Sequence, residues 1–294
     1  FASLAIHADV VPTVTGRGEL LTMLFSVLAL QLSLARSTSV AVFGAAAAMW
    51  LSLLCKESAI PFAAALPLLS WRAGAPKGRA LALFGCAAVG VAGVLAFRAA
   101  TGLPFRAHHA GVEEGNTLYL AAGFFARLPG AMDVLSRYAL HTGTGVDLCA
   151  DYSYADFVPS TRWLAAGPLV GASLAALGVG ATVLAYRRAP RAADALFALA
   201  VCYAVVSSIL VPATANLADR LFFFPSFWLI AASAIALARL PERTGRLGLP
   251  VLAAFLVAQA SLTAVTSRRW RDERSLALHT VAYCPHNGRG RAMR

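Results

Sequence analysis

The stretch "ALALFGCAAVGVAGVLAF", residues 80–97, runs for eighteen positions without a charge. A helix that crosses a bilayer needs about 20 mostly apolar residues, with roughly 17 to 25 as the range. Residues 80–97 are therefore read as a membrane span. The composition agrees, since 59% of the 294 residues are hydrophobic and 13% charged, with a mean hydropathy of +0.68. Such a chain is hard to pack in water and reads as an all-α, polytopic membrane protein.

Outward from that run, similar stretches lie at Leu20–Ala35, Val40–Cys55, Ser58–Ser70, Leu164–Tyr186, Ala193–Val211, Leu221–Ala238 and Leu247–Val265. The third is short and carries Pro61 and Pro67, which neighbouring helices accommodate within a membrane. Together they predict a bundle of about eight spans with both ends of the sequence on one side. Short cytoplasmic loops gather Lys and Arg. "WRAGAPKGR" (71–79), "YRRAPR" (186–191), "ARLPERTGR" (238–246) and Arg36 all fall on one face of the eight-span arrangement. His7, Lys56, the 99–162 stretch, Asp219, Arg220 and the tail fall on the other. The net charge of +11 is thus a topology signal, and nucleic acid is a poor explanation for it.

The sequence starts at Phe1 without Met and ends in "HNGRGRAMR", so it is read as a fragment, with no cleavable signal peptide visible. Cys55, Cys86, Cys149, Cys202 and Cys284 show no C-x-x-C spacing. Three sit in or beside spans, where inert burial is the reading. Cys149 and Cys284 remain able to meet in an oxidising lumen, with the balance against their pairing.

Residues 99–162 are too long for a simple connector, and long ordered loops tend to be functional. Ala131, Val134, Leu135 and Tyr138 recur there at helical spacing, with Asp133, Arg137 and His141 opposite. This predicts an amphipathic helix lying in the membrane interface, with Asp133–Arg137 as an ordinary i,i+4 surface pair. "DLCADYSYADFVPS" (147–160), which includes Asp151, follows and reads as an aromatic belt with polar caps. "TGTGVD" lacks the strand that a nucleotide fingerprint requires. His108–His109 lack a third ligand, so no metal site is expected.

What remains is a set of charges at the non-cytoplasmic ends of spans: His7 and Asp9, Arg17 and Glu19, Lys56 and Glu57, Asp219 and Arg220. Singly, each fits a helix end whose charge snorkels to water. Four such sites on one face point instead to a polar pocket at the membrane surface, because ionisable groups in a bilayer are costly unless paired or hydrated.

Five motifs, "LAIHADVVPTVTGRGELLTMLF" (4–25), "LSLLCKESAI" (51–60), "DYSYADFVP" (151–159), "LADRLFFFPS" (217–226) and "RRWRDERSLALHTVAYCPHN" (268–287), occur in this order. The chain thereby resembles, over nearly its whole length, the membrane domain of the TMTC family of transmembrane and tetratricopeptide-repeat O-mannosyltransferases. The resemblance implies a GT-C glycosyltransferase-like membrane domain over 1–266, with 99–162 as a lumenal loop. Residues 267–294 become the lumenal lead-in helix to absent tetratricopeptide repeats. It implies an endoplasmic-reticulum enzyme with no cofactor that transfers mannose from dolichyl-phosphate mannose to Ser or Thr of lumenal proteins. The family's catalytic acidic pair would lie upstream of Phe1, which leaves the catalytic residues of this chain unknown.

Transfer from a polyprenyl phosphosugar needs cations beside the departing phosphate and a carboxylate near the acceptor hydroxyl. Lys56 and Arg220 are accordingly the expected phosphate ligands, with Glu57 as local partner of Lys56 or, in the structural alternative, a plain Lys–Glu pair. His7, Asp9, Arg17, Glu19, Asp219 and Asp151 are expected to shape the site; neither His7 nor Asp9 is assigned as the base. Two other classes stay open: a transporter, whose site belongs near the midplane, and a non-catalytic scaffold with a lumenal tail.

Overall fold

The computed structural model describes residues 3–11, 13, 16–102, 116–121, 123–146, 148–149, 152, 156–210, 215–239 and 242–286. Among these, all regular structure is helical. The helices are α1 (Gly16–Ser33), α2 (Ala45–Cys55), α3 (Ile60–Arg72), α4 (Lys77–Ala100), α5 (Phe124–Thr144), α6 (Ala166–Arg188), α7 (Pro190–Val206), α8 (Phe223–Leu237), α9 (Glu242–Ser267) and α10 (Glu273–Tyr283).

Residues 80–97 lie inside α4, and Leu81, Phe84, Val89 and Phe97 on it are exposed. Large apolar side chains exposed along one helix match a hydrocarbon surround. Among the described residues, four helical segments are long and apolar enough to cross a membrane: Lys77–Ala100, Ala166–Arg188, Asp219–Leu237 and Pro250–Trp270. The expectation of eight is corrected accordingly. Val40–Cys55 is apolar but short, and α3 and α7 have 13 and 17 residues. At 1.5 Å per residue these two reach about 20 and 26 Å, less than a hydrocarbon core of about 30 Å. α1 is longer, but its first turn holds Arg17 and Glu19.

The basic connectors do gather at one end of the bundle. Arg79 donates to the carbonyl of Ala35 at 2.8 Å, Arg72 donates to Asp194 and stacks over Tyr186, and Arg239 donates to the carbonyl of Arg188 at 2.6 Å. These bonds tie α4 to the end of α1, α3 to α6 and α7, and the end of α8 to the end of α6.

Two buried clusters fill the interior. One joins α2, α3, α7 and α8, where Phe62 stacks on Trp228 at 5.4 Å. The other surrounds Tyr138, which stacks on Phe222 at 4.9 Å and exchanges hydrogen bonds with the backbone of Ala218.

α5 is the expected amphipathic helix and is not among the four segments long and apolar enough to span. Its polar face differs from expectation, because Asp133 and His141 are buried along with Ala131, Val134 and Tyr138. Asp133 accepts from the backbone N–H of Ser160 at 2.8 Å. Arg137 lies over the Phe157 ring, 5.4 Å from its centre, so no Asp133–Arg137 surface pair forms. α6 crosses α5 closely at Gly167 and Gly171, where a Cβ would run into Asp133 Oδ1 and the carbonyl of Met132. Small residues four apart let membrane helices approach in this way.

The cysteine expectation is also corrected, for Cys149 and Cys284 are joined by a disulfide. It fastens the end of α10 to the segment after α5, and both cysteines are buried. Cys55, Cys86 and Cys202 are free.

Candidate functional site

At the end of the bundle opposite the basic connectors, three breaks in helical structure bring charges together. The first is the 3-10 turn Ala5–Asp9, buried at every position. It is held by Ala5 N–H donating to Gln259 Oε1 at 3.1 Å and by Thr263 Oγ1 donating to the carbonyl of Ser3 at 2.8 Å. Thr13 Oγ1 then donates to the carbonyl of Asp9 and carries the chain into α1.

The second break is Lys56, extended between α2 and the 3-10 turn Glu57–Ala59. Two β-region angles end α2 here, so the ammonium projects from a helix terminus. Its partner is Glu19, 37 residues away, at 2.6 Å. Ser58 Oγ donates to the other oxygen of Glu19 at 3.1 Å, and Glu19 itself is 1% exposed. Glu57 pairs instead with Arg98 of α4 at 3.4 Å. The expected Lys56–Glu57 partnership is thus replaced by two crossed pairs, each joining different elements.

The third break is the 3-10 turn Asp219–Phe222 leading into α8. Adjacent residues there take different partners. Arg220 lies 3.7 Å from Asp9 Oδ2. Asp219 binds His141 Nδ1 through Oδ1 and the Tyr152 hydroxyl through Oδ2, both at 2.8 Å. Tyr152 Oη in turn accepts from the N–H of Cys149 at 2.8 Å, which couples the disulfide to this network. His7 Nε2 lies 2.8 Å from Ser226 Oγ, and Ser226 gives its own hydrogen to the carbonyl of Phe223. The imidazole is therefore the donor of that bond, with its hydrogen on Nε2.

The electrostatics single out Asp9. Burial raises its pKa from 3.8 to about 6; Arg220 opposes the rise, Asp219 adds to it, and the more weakly felt Lys56 also opposes it. Its Oδ1 is buried with no hydrogen-bond partner among the described residues. Asp9 lines a small cavity with Asp219, Arg269 and His279, which has room for about one water-sized group. Burial and Arg269 hold the His279 imidazole down at about 4.

A second, larger cleft of about 470 Å3 runs between α2 and α4. Trp50, Leu53, Leu54, Val89, Val94 and Phe97 line it, and Lys56, Glu57 and Arg98 close one end. Gly90 leaves the Trp50 ring its place, since a Cβ there would come within 2.6 Å of it, whereas a Cβ on Gly93 would meet nothing within 4 Å.

Of the expected residues, His7, Asp9, Glu19, Lys56, Glu57, Asp219 and Arg220 all lie at this end. Arg17 is exposed on α1. Asp151 and His108–His109 lie outside the described residues. The described residues hold no group of three or more His, Cys, Asp or Glu able to share a metal. Sequence reasoning missed Arg98, Ser58 and Tyr152 and placed His141 on a surface. For Arg98 a signal existed: it is the charge that ends the apolar run from which the reading started. Comparisons with protein families, with curated proteins and with solved structures yield no match.

Proposed function

We propose that the chain is the membrane domain of a glycosyltransferase of GT-C type, which transfers mannose from dolichyl-phosphate mannose to Ser or Thr of lumenal proteins. The observation that supports this best is the cleft between α2 and α4. Its walls are apolar and belong to helices at home in hydrocarbon, while one end carries Lys56 and Arg98. An amphiphile with a long apolar tail and a phosphate head matches that division: the tail stays in hydrocarbon and the head meets cations. Lys56 uses one of its three N–H groups on Glu19, so donors remain for a phosphate oxygen. Glu19 and Glu57 hold the two cations in place.

Arg98 thereby joins Lys56 as the phosphate ligand, while Arg220, which does not line this cleft, serves Asp9. The Cys149–Cys284 disulfide favours an oxidising compartment for this end. The basic connectors at the other end favour the cytosol for that one. Both agree with an endoplasmic-reticulum membrane and the site facing the lumen. Charges at helix ends rather than near the midplane favour this reading over a transporter.

The test is binding and transfer by the purified chain in lipid nanodiscs. Dolichyl-phosphate mannose should bind in preference to dolichol and to phosphatidylglycerol, and mannose should appear on a Ser/Thr peptide. Equal retention of dolichol and dolichyl-phosphate mannose would sink the reading.

A further inference from the structure

We propose that Glu57 is a specificity-determining residue of the cleft between α2 and α4. Its charge disfavours a doubly charged phosphomonoester against a singly charged phosphodiester, so that the spent lipid phosphate leaves and the next donor enters. The inference rests on the glycosyltransferase reading, which supplies both lipids.

The charges at this end of the cleft cancel. Lys56 and Arg98 are the cations, and each already faces a carboxylate: Glu19 at 2.6 Å for Lys56 and Glu57 at 3.4 Å for Arg98. The two carboxylates are placed differently. Glu19 is buried, is not part of the cleft lining and spends its second oxygen on Ser58, so it balances Lys56 from outside the cleft. Glu57 lines the cleft together with both cations, and its side chain is 51% exposed. A phosphate brought to Lys56 and Arg98 therefore also meets Glu57. An ion pair this open contributes little to stability, which makes holding α4 to the turn after α2 a poor account of it. Among the described residues, Lys56, Glu57 and Arg98 are the charged groups of the lining; Arg17, on the first turn of α1, is exposed and outside it.

The reaction gives that fourth charge a use. In a polyprenyl phosphosugar the phosphate bridges two carbons and carries a single negative charge. As the acceptor oxygen bonds to the anomeric carbon, the bond from that carbon to the phosphate oxygen breaks. The electron pair stays on the phosphate oxygen, and the acceptor's proton passes to water. The lipid left behind is a monoester, whose charge is about −1.5 to −2 near pH 7. Two uncompensated cations would hold this product more tightly than the donor and leave the cleft blocked. With Glu57 in place the added charge meets a neutral end instead. Repulsion by a fixed carboxylate grows in proportion to the ligand's charge, and an element that repels the wrong ligand is a general source of specificity.

Glu57→Gln removes the charge and keeps the shape. In nanodiscs at about pH 7.5 it should tighten binding of dolichyl phosphate about tenfold and of dolichyl-phosphate mannose less than threefold, the difference being one ligand charge close to one protein charge. Glu57→Asp keeps the charge on a shorter arm and should leave the ratio of the two affinities within twofold of wild type, whereas a structural tie of fixed length would be lost in both variants. At about pH 5 the monoester regains a proton, and Glu57→Gln should then shift the two lipids alike. Glu57 is half-exposed, so both variants should melt with the wild type; Glu57→Ser replaces Glu57→Gln if the latter does not. Equal shifts for the two lipids at pH 7.5, or a difference that persists undiminished at pH 5, overturns the role of Glu57 while a wild type that prefers the donor over dolichol leaves the transferase standing. A wild type that retains donor and dolichol equally removes both.

Discussion

Arg220 Nη1 and Asp9 Oδ2 stand 3.7 Å apart, across the junction of two 3-10 turns that are 210 residues apart in the chain. The pair is one-sided: a partly exposed guanidinium covers a buried carboxyl whose second oxygen it leaves alone.

That asymmetry carries a stability prediction. The Asp9 carboxyl titrates at about 6 when folded and near 3.8 when unfolded, so the folded state binds the extra proton between those values. Stability from this group is fully present below pH 4 and is lost as pH rises through 6, by about 2–3 kcal/mol. Thermal unfolding in detergent should show the wild type losing ground to Asp9→Asn over that window. Parallel pH curves for the two proteins would contradict it.

The crossed pairs predict how the cations divide. Lys56→Ala and Arg98→Ala should each weaken dolichyl-phosphate-mannose binding ten- to a hundredfold, equal to about 1.5–3 kcal/mol for a charge-assisted contact. Arg220→Ala should leave it within threefold. Lys56→Arg should rescue in part, because a planar fork replaces a compact charge. Equilibrium binding with labelled donor measures all four; equal losses for Arg98 and Arg220 would show that the phosphate does not sit at the cleft.

The two glycines of the cleft predict opposite outcomes. Gly93→Leu places apolar volume where a Cβ meets nothing, so the protein should fold normally and lose donor binding. Gly90→Ala drives a Cβ against Trp50 at 2.6 Å, and overpacking of this kind costs about 1–3 kcal/mol. Its signature should be a lower melting temperature. A Gly93→Leu protein that binds donor normally would place the lipid elsewhere.

Cys284→Ser should destabilise the chain by about 2–5 kcal/mol, as loss of a native disulfide does, and should raise hydrogen exchange in α10. Unchanged exchange there would mean that packing alone secures the helix.

Much of this was legible in the sequence because the signals are local. Eighteen uncharged residues at 80–97 declare a span whatever surrounds them, and Lys56 between apolar runs declares the end of a helix for the same reason. Pairing is not local. Glu57 is the neighbour of Lys56 in the chain, yet the partner is Glu19, brought there by the antiparallel packing of α1 on α2. His141 read as solvent-facing because helical spacing reports which residues share a face and not what covers it. Here the cover is the Asp219–Phe222 turn, 78 residues on. The eight-span expectation failed on length, since an apolar window does not fix how many of its residues are helical: α3 and α7 close after 13 and 17 residues.

The disulfide also has a consequence for how the chain is made. Cys149 emerges from the ribosome 135 residues before Cys284, and α6 through α10 must be synthesised in between. Until then Cys149 carries a bare thiol, open to transient bonding with oxidoreductases. The bond can close only on a chain whose later helices have been inserted with the right sidedness, since a segment threaded the wrong way would leave the two sulfurs on opposite sides of the membrane. A reactive Cys149 thus labels an unfinished or misthreaded molecule, and its disappearance records completed insertion.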